Sequence, residues 1–112
     1  MTEPRAATGL LVSALIRRID AEGGSAMVIE KGDAIAGAVV LMLADRGVLG
    51  AIVERVWRFD GSFGFERVGP AQLDEPGAAG DYVARRRRSD PDLWVVEIDH
   101  PQAERIAGEV LL

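Results

Sequence analysis

The sequence predicts a single α+β domain with an N-terminal helix, a mainly antiparallel sheet of about five strands and a second helix before the last main strand, the helices covering one sheet face. Three observations predict this class. Apolar residues near the N-terminus recur with a helical period. Short apolar or alternating segments follow as far as residue 68, as expected of strands. Asp60-Gly61 is a typical hairpin turn between two of them.

Length and composition fit one domain over residues 1–112. The chain is 48% apolar, which suffices for a core without disulfide or metal support. The absence of cysteine excludes disulfide frameworks, thiolate zinc sites, iron–sulfur clusters and a cysteine nucleophile. A single histidine, His100, excludes histidine-rich metal centres. We therefore predict no cofactor, no metal site and no catalytic residue.

Charge and targeting patterns limit the partners and the location. The formal net charge of −5 disfavours general binding to nucleic acid, although local basic patches remain available. The N-terminus lacks a cationic region followed by a sustained apolar stretch, as a signal peptide would have. Apolar stretches such as residues 38–44 are far shorter than the ~20 residues that cross a bilayer. We expect a cytoplasmic protein without a membrane association.

The first element is a predicted helix over about residues 9–22. Its apolar residues, such as Leu15 and Ile19, recur at intervals of four. Thr8 is suited to cap the start of this helix, and Gly23-Gly24 is suited to end it.

The next two elements are predicted strands over residues 25–31 and 37–44, joined by a turn-rich segment over residues 32–36. Residues 37–44 are apolar on both alternating faces. A strand that is apolar on both faces is typical of the centre of a sheet.

The third and fourth strands are predicted over residues 48–59 and 62–68, on either side of Asp60-Gly61. A two-residue type I′ turn at this dipeptide fixes the register of the hairpin. The resulting opposed pairs are Phe59–Ser62, Arg58–Phe63, Trp57–Gly64, Val56–Phe65, Arg55–Glu66 and Glu54–Arg67.

The rest of the chain predicts a loop, a helix, a strand and a short ending. Residues 72–80 are acidic and rich in glycine and proline, which favours a mobile loop. A helix over residues 81–89 stops before proline, and a strand over residues 93–98 follows. Residues 101–107 fit a short helix that ends at Gly108, after which the apolar last residues pack back on the domain.

The second helix carries a run of consecutive arginines that is a candidate contact for a partner or an anion. Successive helical residues advance by about 100°, so these side chains spread around the axis and at least one points inward or forms an ion pair. The alternative is a solvated helix end neutralised by Asp81, Asp90 and Asp92. The arginines of this hypothesis are Arg85, Arg86, Arg87 and Arg88, with Arg17 and Arg18 of the first helix.

A second candidate is the acidic turn formed by Glu30 and Asp33 on either side of Lys31, where carboxylates could bind a divalent ion. The predicted element order is similar to that of the PD-(D/E)xK nucleases. Their Glu-x-Lys element is missing, because Ile29 stands two positions before Lys31. Gly-Asp dipeptides are first of all turn chemistry, which favours a structural role.

Two further groups are candidates for structural roles. Asp90-Pro91-Asp92 fits a helix exit and turn, and Trp94 behind it fits a core anchor, with ligand stacking or partner docking as the alternative. Glu97, Asp99 and His100 form a cluster at the exit of the last main strand. A lone histidine in such a place is usually structural or exposed.

Three segments resemble one uncharacterised bacterial family, domain of unknown function 1491. The most specific is Ser-Asp-Pro-Asp-Leu-Trp-Val-Val-Glu-Ile-Asp at residues 89–99, with Asp90, Pro91, Asp92 and Trp94 as its signature. Residues 14–18 and the Lys-Gly-Asp turn at residues 31–33, followed by residues 37–39, fit the same family in the same order. The resemblance implies a bacterial cytoplasmic protein, mainly of alphaproteobacteria, and supplies no activity, substrate or cofactor.

Two functional hypotheses remain. The first is a small non-catalytic accessory or protein-interaction domain that contacts its partner through the arginine-rich helix and residues 74–80. The alternative is a nucleic-acid-binding or nuclease-like domain that uses the arginine-rich helix and the Glu30/Asp33 turn. A homo-oligomer that pairs through an apolar edge strand is also compatible with the sequence, which does not reveal the strand at the edge.

Overall fold

The computed structural model of the chain describes residues 6–112. It contains three helices and five strands, which confirms the predicted α+β class. In chain order they are α1 (Thr8–Ala21), β1 (Ser25–Glu30), β2 (Val39–Asp45), β3 (Val48–Trp57), β4 (Phe63–Val68), α2 (Ala78–Ser89), β5 (Trp94–Asp99) and α3 (Ala103–Leu111).

Helix α1 forms where the apolar period predicts it, and Val12, Leu15 and Ile19 lie in the core. The predicted cap is wrong, because the N-cap residue is Ala7 and no side chain caps the helix. Thr8 is instead buried, and its hydroxyl donates to the backbone oxygen of Gly37 at 3.0 Å. It therefore joins the start of α1 to the segment between β1 and β2.

The five strands form one sheet in the order β1-β5-β2-β3-β4. Strand β2 is central, as its two apolar faces predict. Strands β2 and β5 pair in parallel, and the other three pairs are antiparallel. Consecutive strands β1 and β2 are not neighbours, because β5 returns from α2 and inserts between them.

Helices cover both faces of the sheet, so the prediction of one covered face is wrong. Helices α1 and α3 pack on the first face, against a core that includes Leu41, Trp94 and Val96. Helix α2 packs on the second face, where Val83 contacts a smaller cluster that includes Leu93. Strand β5 contributes side chains to the cores on both faces, because its alternate residues point to opposite sides.

The β3–β4 hairpin differs from its predicted register by one residue. Trp57 pairs with Phe63 and Val56 with Gly64, so the loop has three residues instead of two. The backbone N–H of Gly61 donates to Arg58 O at 3.0 Å, and Gly61 has a φ of 86°. This is a type I turn closed by a left-handed glycine, the common three-residue hairpin loop. All six predicted cross-strand pairs are therefore wrong.

Two helices are longer than predicted. Helix α2 begins at Ala78, so residues 78–80 of the predicted loop are helical. Helix α3 continues through Gly108 to Leu111, whose side chain is buried. The apolar last turn thus packs on the domain as part of the helix. Among the described residues, no helix has the length and apolarity needed to cross a membrane.

Candidate functional site

The arginine run (residues 85–88) divides into two inward and two outward side chains, as the helical period requires. Arg86 and Arg87 are half-buried, whereas Arg85 and Arg88 are exposed. Within residues 6–112, no carboxylate of Asp81, Asp90 or Asp92 forms an ion pair with the run. The carboxylates that pair with the run are those of Glu54 and Glu30 instead.

Arg87 fastens α2 to the loops beside the sheet. Its guanidinium donates to the backbone oxygens of Pro91 at 2.6 Å, Leu93 at 2.8 Å and Lys31 at 3.3 Å. It also lies 3.8 Å from the carboxylate of Glu30. All of these contacts lie within the fold, so Arg87 stabilises the position of α2.

Arg86 joins α2 to strand β3. Its Nη1 donates to Glu54 Oε1 at 2.8 Å and to the Tyr82 hydroxyl at 2.7 Å. The hydrogen bond with Glu54 raises the pKa of Arg86 above its ordinary value. Glu54 stands directly opposite Glu66 in the hairpin, an unfavourable pairing of like charges that Arg86 offsets.

Replacing Arg86 with alanine should lower the free energy of unfolding by about 1–3 kcal/mol, because half-buried Glu54 loses its partner. Urea denaturation measures this loss. Adding Glu54→Gln to the Arg86→Ala variant should recover part of it, since no buried charge then remains. Arg85→Ala is the control and should change stability by less than about 0.5 kcal/mol. Equal losses in the Arg85 and Arg86 variants would contradict the prediction.

The arginines of α1 lie on the other side of the sheet from the arginine run. Arg18 forms ion pairs with Glu22 and with Glu109 of α3, and Arg105 approaches the same two carboxylates. Arg17 is exposed. Because the sheet separates α1 from α2, the structure does not bring the six candidate arginines into one surface.

The ion pairs between α1 and α3 should make stability depend on acid pH. Hydrogen bonds from Arg18, then Arg105, hold the pKa of Glu109 below its ordinary value. A lowered folded-state pKa contributes stability that is present above the unfolded pKa and is lost as pH falls through the folded value. Urea midpoints of the wild type and Glu109→Gln should therefore differ near neutral pH and converge as pH falls below about 4. A difference that persists at low pH would contradict this.

The acidic turn is stabilised by hydrogen bonds within the turn itself. The Asp33 carboxylate accepts backbone N–H groups of Ile35 at 3.2 Å and Ala36 at 2.8 Å. Glu30 faces Arg87 instead of Asp33. In the part of the chain that the structure describes, no group of three or more metal-ligating side chains is present.

The signature residues meet this turn and form what we call the turn–strand junction, made of residues 30–37 and 90–94. Trp94 is 5% exposed, and its indole Nε1 donates to the backbone oxygen of Asp33 at 2.7 Å. The backbone N–H of Asp33 donates to Asp92 O at 3.0 Å. The Asp90 carboxylate accepts the N–H of Asp92 at 3.1 Å, a turn that follows the helix exit. Trp94 is thus a core residue.

The cluster at the end of β5 also serves the fold. The Asp99 carboxylate accepts the N–H groups of Arg46 at 2.9 Å and Gly47 at 2.8 Å, which close the β2–β3 turn. His100 Nδ1 accepts the N–H of Gln102 at 2.9 Å, and Nε2 lies 3.1 Å from Glu22 O. Since Nδ1 accepts, Nε2 carries the proton in this arrangement.

A different surface, at the far end of β3 and the start of β4, exposes aromatic side chains. Strand β2 pairs with β3 only as far as Glu54, so among residues 6–112 it is β4 that pairs with residues 55–57 of β3. We call this two-stranded extension, residues 55–65, the hairpin arm. At its loop, Phe59 is fully exposed, and Trp57 is 51% exposed. Aromatic side chains of this kind are enriched at protein interfaces relative to the rest of the surface.

Contacts at its base hold the hairpin arm in place. The guanidinium of Arg55 lies 3.6 Å from the centre of the Phe63 ring, and its Nε donates to Leu111 O at 2.7 Å. Trp57 and Phe63 make an edge-to-face contact with centroids 4.8 Å apart. The arm therefore presents Phe59 from an ordered support.

A groove of about 450 Å³ runs beside the exposed aromatic residues. Arg58 crosses Gly64 and donates to the Phe65 oxygen at 3.1 Å, while Ser62 donates to Asp60 Oδ1. The Ser62 hydroxyl holds the pKa of Asp60 below its ordinary value. The groove is lined by Val56, Trp57, Arg58, Phe59, Asp60 and Glu66.

Sequence reasoning missed the hairpin arm because the assumed two-residue turn placed Phe59 in a strand. A useful signal was present: β3 is longer than β2, so one end of it must extend beyond its central neighbour. Combined with an aromatic residue beside the Asp-Gly turn, that length predicts an exposed tip.

The fold and these surfaces define a small α+β domain with a central strand covered on both faces and a projecting aromatic hairpin. The chain belongs to the family described as protein of unknown function (DUF1491), whose model matches residues 6–108. The three resembling segments are thus correctly assigned. Two of them, residues 31–39 and 89–99, meet in the turn–strand junction.

Solved structures of similar proteins support the assignment. A crystal structure of a DUF1491 family protein from Caulobacter crescentus CB15 is 34% identical, covers 89% of this chain and 92% of that chain, and has a TM-score of 0.75. The solution structure of protein Atu0922 from A. tumefaciens is 31% identical, with 88% of each chain covered and a TM-score of 0.71. No curated protein matches the chain.

Proposed function

We propose that the chain is a non-catalytic protein-interaction domain of the bacterial cytoplasm that binds another protein through the hairpin arm. The observation that carries the proposal is the full exposure of Phe59 at the end of a projecting hairpin, beside half-exposed Trp57. Aromatic residues and arginine are enriched among residues that dominate binding energy. Phe59, Trp57 and Arg58 combine these types within three successive positions.

The hairpin arm supports this role better than the arginine-rich helix does. Arg86 and Arg87 already bind Glu54 and backbone oxygens, so they contribute to holding α2. Only Arg85 and Arg88 of the run are exposed. The same bonds weaken the nucleic-acid alternative, since Glu30 and Asp33 are engaged as well.

Affinity capture from the source cytoplasm with matched baits tests the proposal. The baits are wild type, Phe59→Ser and Val48→Ser, because Val48 is also an exposed apolar residue but lies at the opposite end of β3. Wild type and Val48→Ser should retain the same partner, and Phe59→Ser should lose it. A central aromatic contact is worth about 2 kcal/mol or more, roughly thirtyfold in affinity.

Nuclease treatment of a parallel sample separates the two functional hypotheses. A protein partner that survives this treatment and depends on Phe59 supports the proposal. A partner lost with nucleic acid, or one retained equally by all three baits, would reject the hairpin arm as the binding site.

A further inference from the structure

The second face of the sheet is only partly covered. On the first face, α1 and α3 contact each other and pack over the core. On the second face, α2 packs on a cluster that includes Val40 of β2 and Ile52 of β3. Strand β1 stays open on this face, where Met27 is 61% exposed and Ile29 is 41% exposed. An uncovered strip therefore runs beside α2.

A groove of about 300 Å³ lies along this strip. Its helix side includes Gly80 and Ala84, which are exposed, four residues apart and on one side of α2. Its sheet side includes Ile29, Met42 and Glu97. Because the distance between packed helices depends on the side chains at the contact, these small residues let a second helix lie close to α2.

The sheet side of the groove has the width of one helix. Met27 of β1 pairs with Glu97 of β5, which in turn pairs with Met42 of β2. This row across three strands spans about 10 Å, and an α-helix with its side chains is about 10–12 Å wide. The β-bulge at Ile29 disfavours addition of a strand at the β1 edge. The geometry thus favours a helix on the face over a strand at the edge.

Glu97 determines the charge that an occupant must carry. Its side chain is half-buried between the two methionines of the row, and none of the ion pairs or side-chain hydrogen bonds within residues 6–112 engages its carboxylate. Arg87 lies 3.8 Å from Glu30 instead. Glu30 pairs with Val95, which is two residues, or about 7 Å, along β5 from Glu97. Covering an unpaired carboxylate with apolar groups alone is unfavourable, so the occupant must supply a cation.

From these observations we infer that the groove beside α2 binds an amphipathic helix of a protein partner. The apolar face of this helix covers Met27, Ile29 and Met42, and a lysine or arginine within that face pairs with Glu97. Methionine side chains adapt to apolar surfaces of different shapes, which suits such a site. The groove lies over β1, β5 and β2, whereas the hairpin arm consists of β3 and β4. The inference therefore concerns a second binding surface and does not depend on the first.

Selection from a displayed library of helical peptides tests the inference. The positions of one helix face are randomised among apolar, amide, acidic and basic residues, so the library imposes no charge. Peptides selected on the wild type should carry an apolar face with a lysine or arginine at its centre. Their affinity should fall at least about tenfold with Glu97→Gln, because the buried cation loses its charged partner. Ala84→Trp should abolish binding, because the indole fills the groove.

Two control variants separate this groove from general charge and from the hairpin arm. Glu75→Gln removes an exposed carboxylate outside the groove, and Phe59→Ser removes the aromatic tip of the arm. Neither should change the affinity of the selected peptides. Circular dichroism checks that all variants are folded.

A charge exchange makes the test specific for Glu97. Replacing the central basic residue of a selected peptide with glutamate should abolish binding to the wild type, and Glu97→Lys should restore it. Four results would overturn the inference. They are a library that yields no binder, selected peptides without a central cation, binding that is unaffected by Glu97→Gln or by Ala84→Trp, and binding that is lost with Phe59→Ser.

Discussion

Alanine at position 32 should lower the free energy of unfolding by about 2–3 kcal/mol. The reason is steric, since a methyl group on Gly32 would lie 2.6 Å from Trp94 Cδ1 and overlap the backbone oxygen of Asp92. That oxygen is fixed, because it accepts the N–H of Asp33 at 3.0 Å. Relief would require the turn–strand junction to separate. Urea denaturation of Gly32→Ala measures the effect.

Gly80→Ala is the matched control for this substitution. A methyl group on Gly80, within α2, would meet no atom within 4 Å. Alanine is favoured over glycine in a helix by about 1 kcal/mol, so this variant should be as stable as the wild type or more stable. If Gly32→Ala were equally well tolerated, the junction would have to be looser than the contacts around Trp94 indicate.

Elements governed by local periodicity could be predicted from the sequence. The apolar spacing of residues 9–22 placed α1 to within a residue at each end, because one face of that helix meets the core. The two apolar faces of β2 predicted its central position, since both of its neighbours and both helical layers exclude water from it. In each case burial follows directly from the side-chain period.

The order of strands could not be predicted in this way. Strand β5 inserts between β1 and β2 and pairs in parallel with β2, which is a contact between segments far apart in the chain. The observed burial of Trp94–Asp99 is compatible with any interior position in the sheet, so it does not identify the neighbours of β5. The bonds of the turn–strand junction likewise join segments far apart in the chain.

The predicted register of the hairpin was wrong for a local reason. A glycine with positive φ fits both a two-residue type I′ turn and the last position of a three-residue loop. Asp60-Gly61 therefore does not distinguish the two. The three-residue loop brings Trp57 and Phe63 into edge contact and lets Arg55 stack on Phe63. Those cross-strand contacts favour the observed register, and they become visible only in three dimensions.

At the candidate sites, the sequence predicted the kinds of contact that the charged residues make. It did not predict which residue makes which contact. The period of α2 required some arginines of the run to point inward. Which ones do so depends on the positions of Glu54 and of the carbonyl groups around Pro91. The acidic turn likewise carries its carboxylates near an arginine, and only the fold shows that Arg87 faces Glu30.

Trp94→Ala should cause the largest loss of stability in the chain, about 3–5 kcal/mol. The indole is 5% exposed and packs in the first core beneath α1 and α3. It also fills the space left by Gly32 and Gly37, so its removal opens a cavity beside two glycines that cannot fill it. Thermal or urea unfolding measures the loss.

Trp94→Phe separates packing from hydrogen bonding at this position. Phenylalanine restores most of the apolar contact but cannot donate to Asp33 O, which accepts indole Nε1 at 2.7 Å. That oxygen keeps a second donor, the N–H of Gly37 at 3.2 Å, so it is not left without a partner. Loss of this hydrogen bond should therefore lower the free energy of unfolding by only about 1 kcal/mol, the net value of one hydrogen bond. A phenylalanine variant as unstable as the alanine variant would show that the bond to Asp33, and not the packing of the ring, holds the junction together.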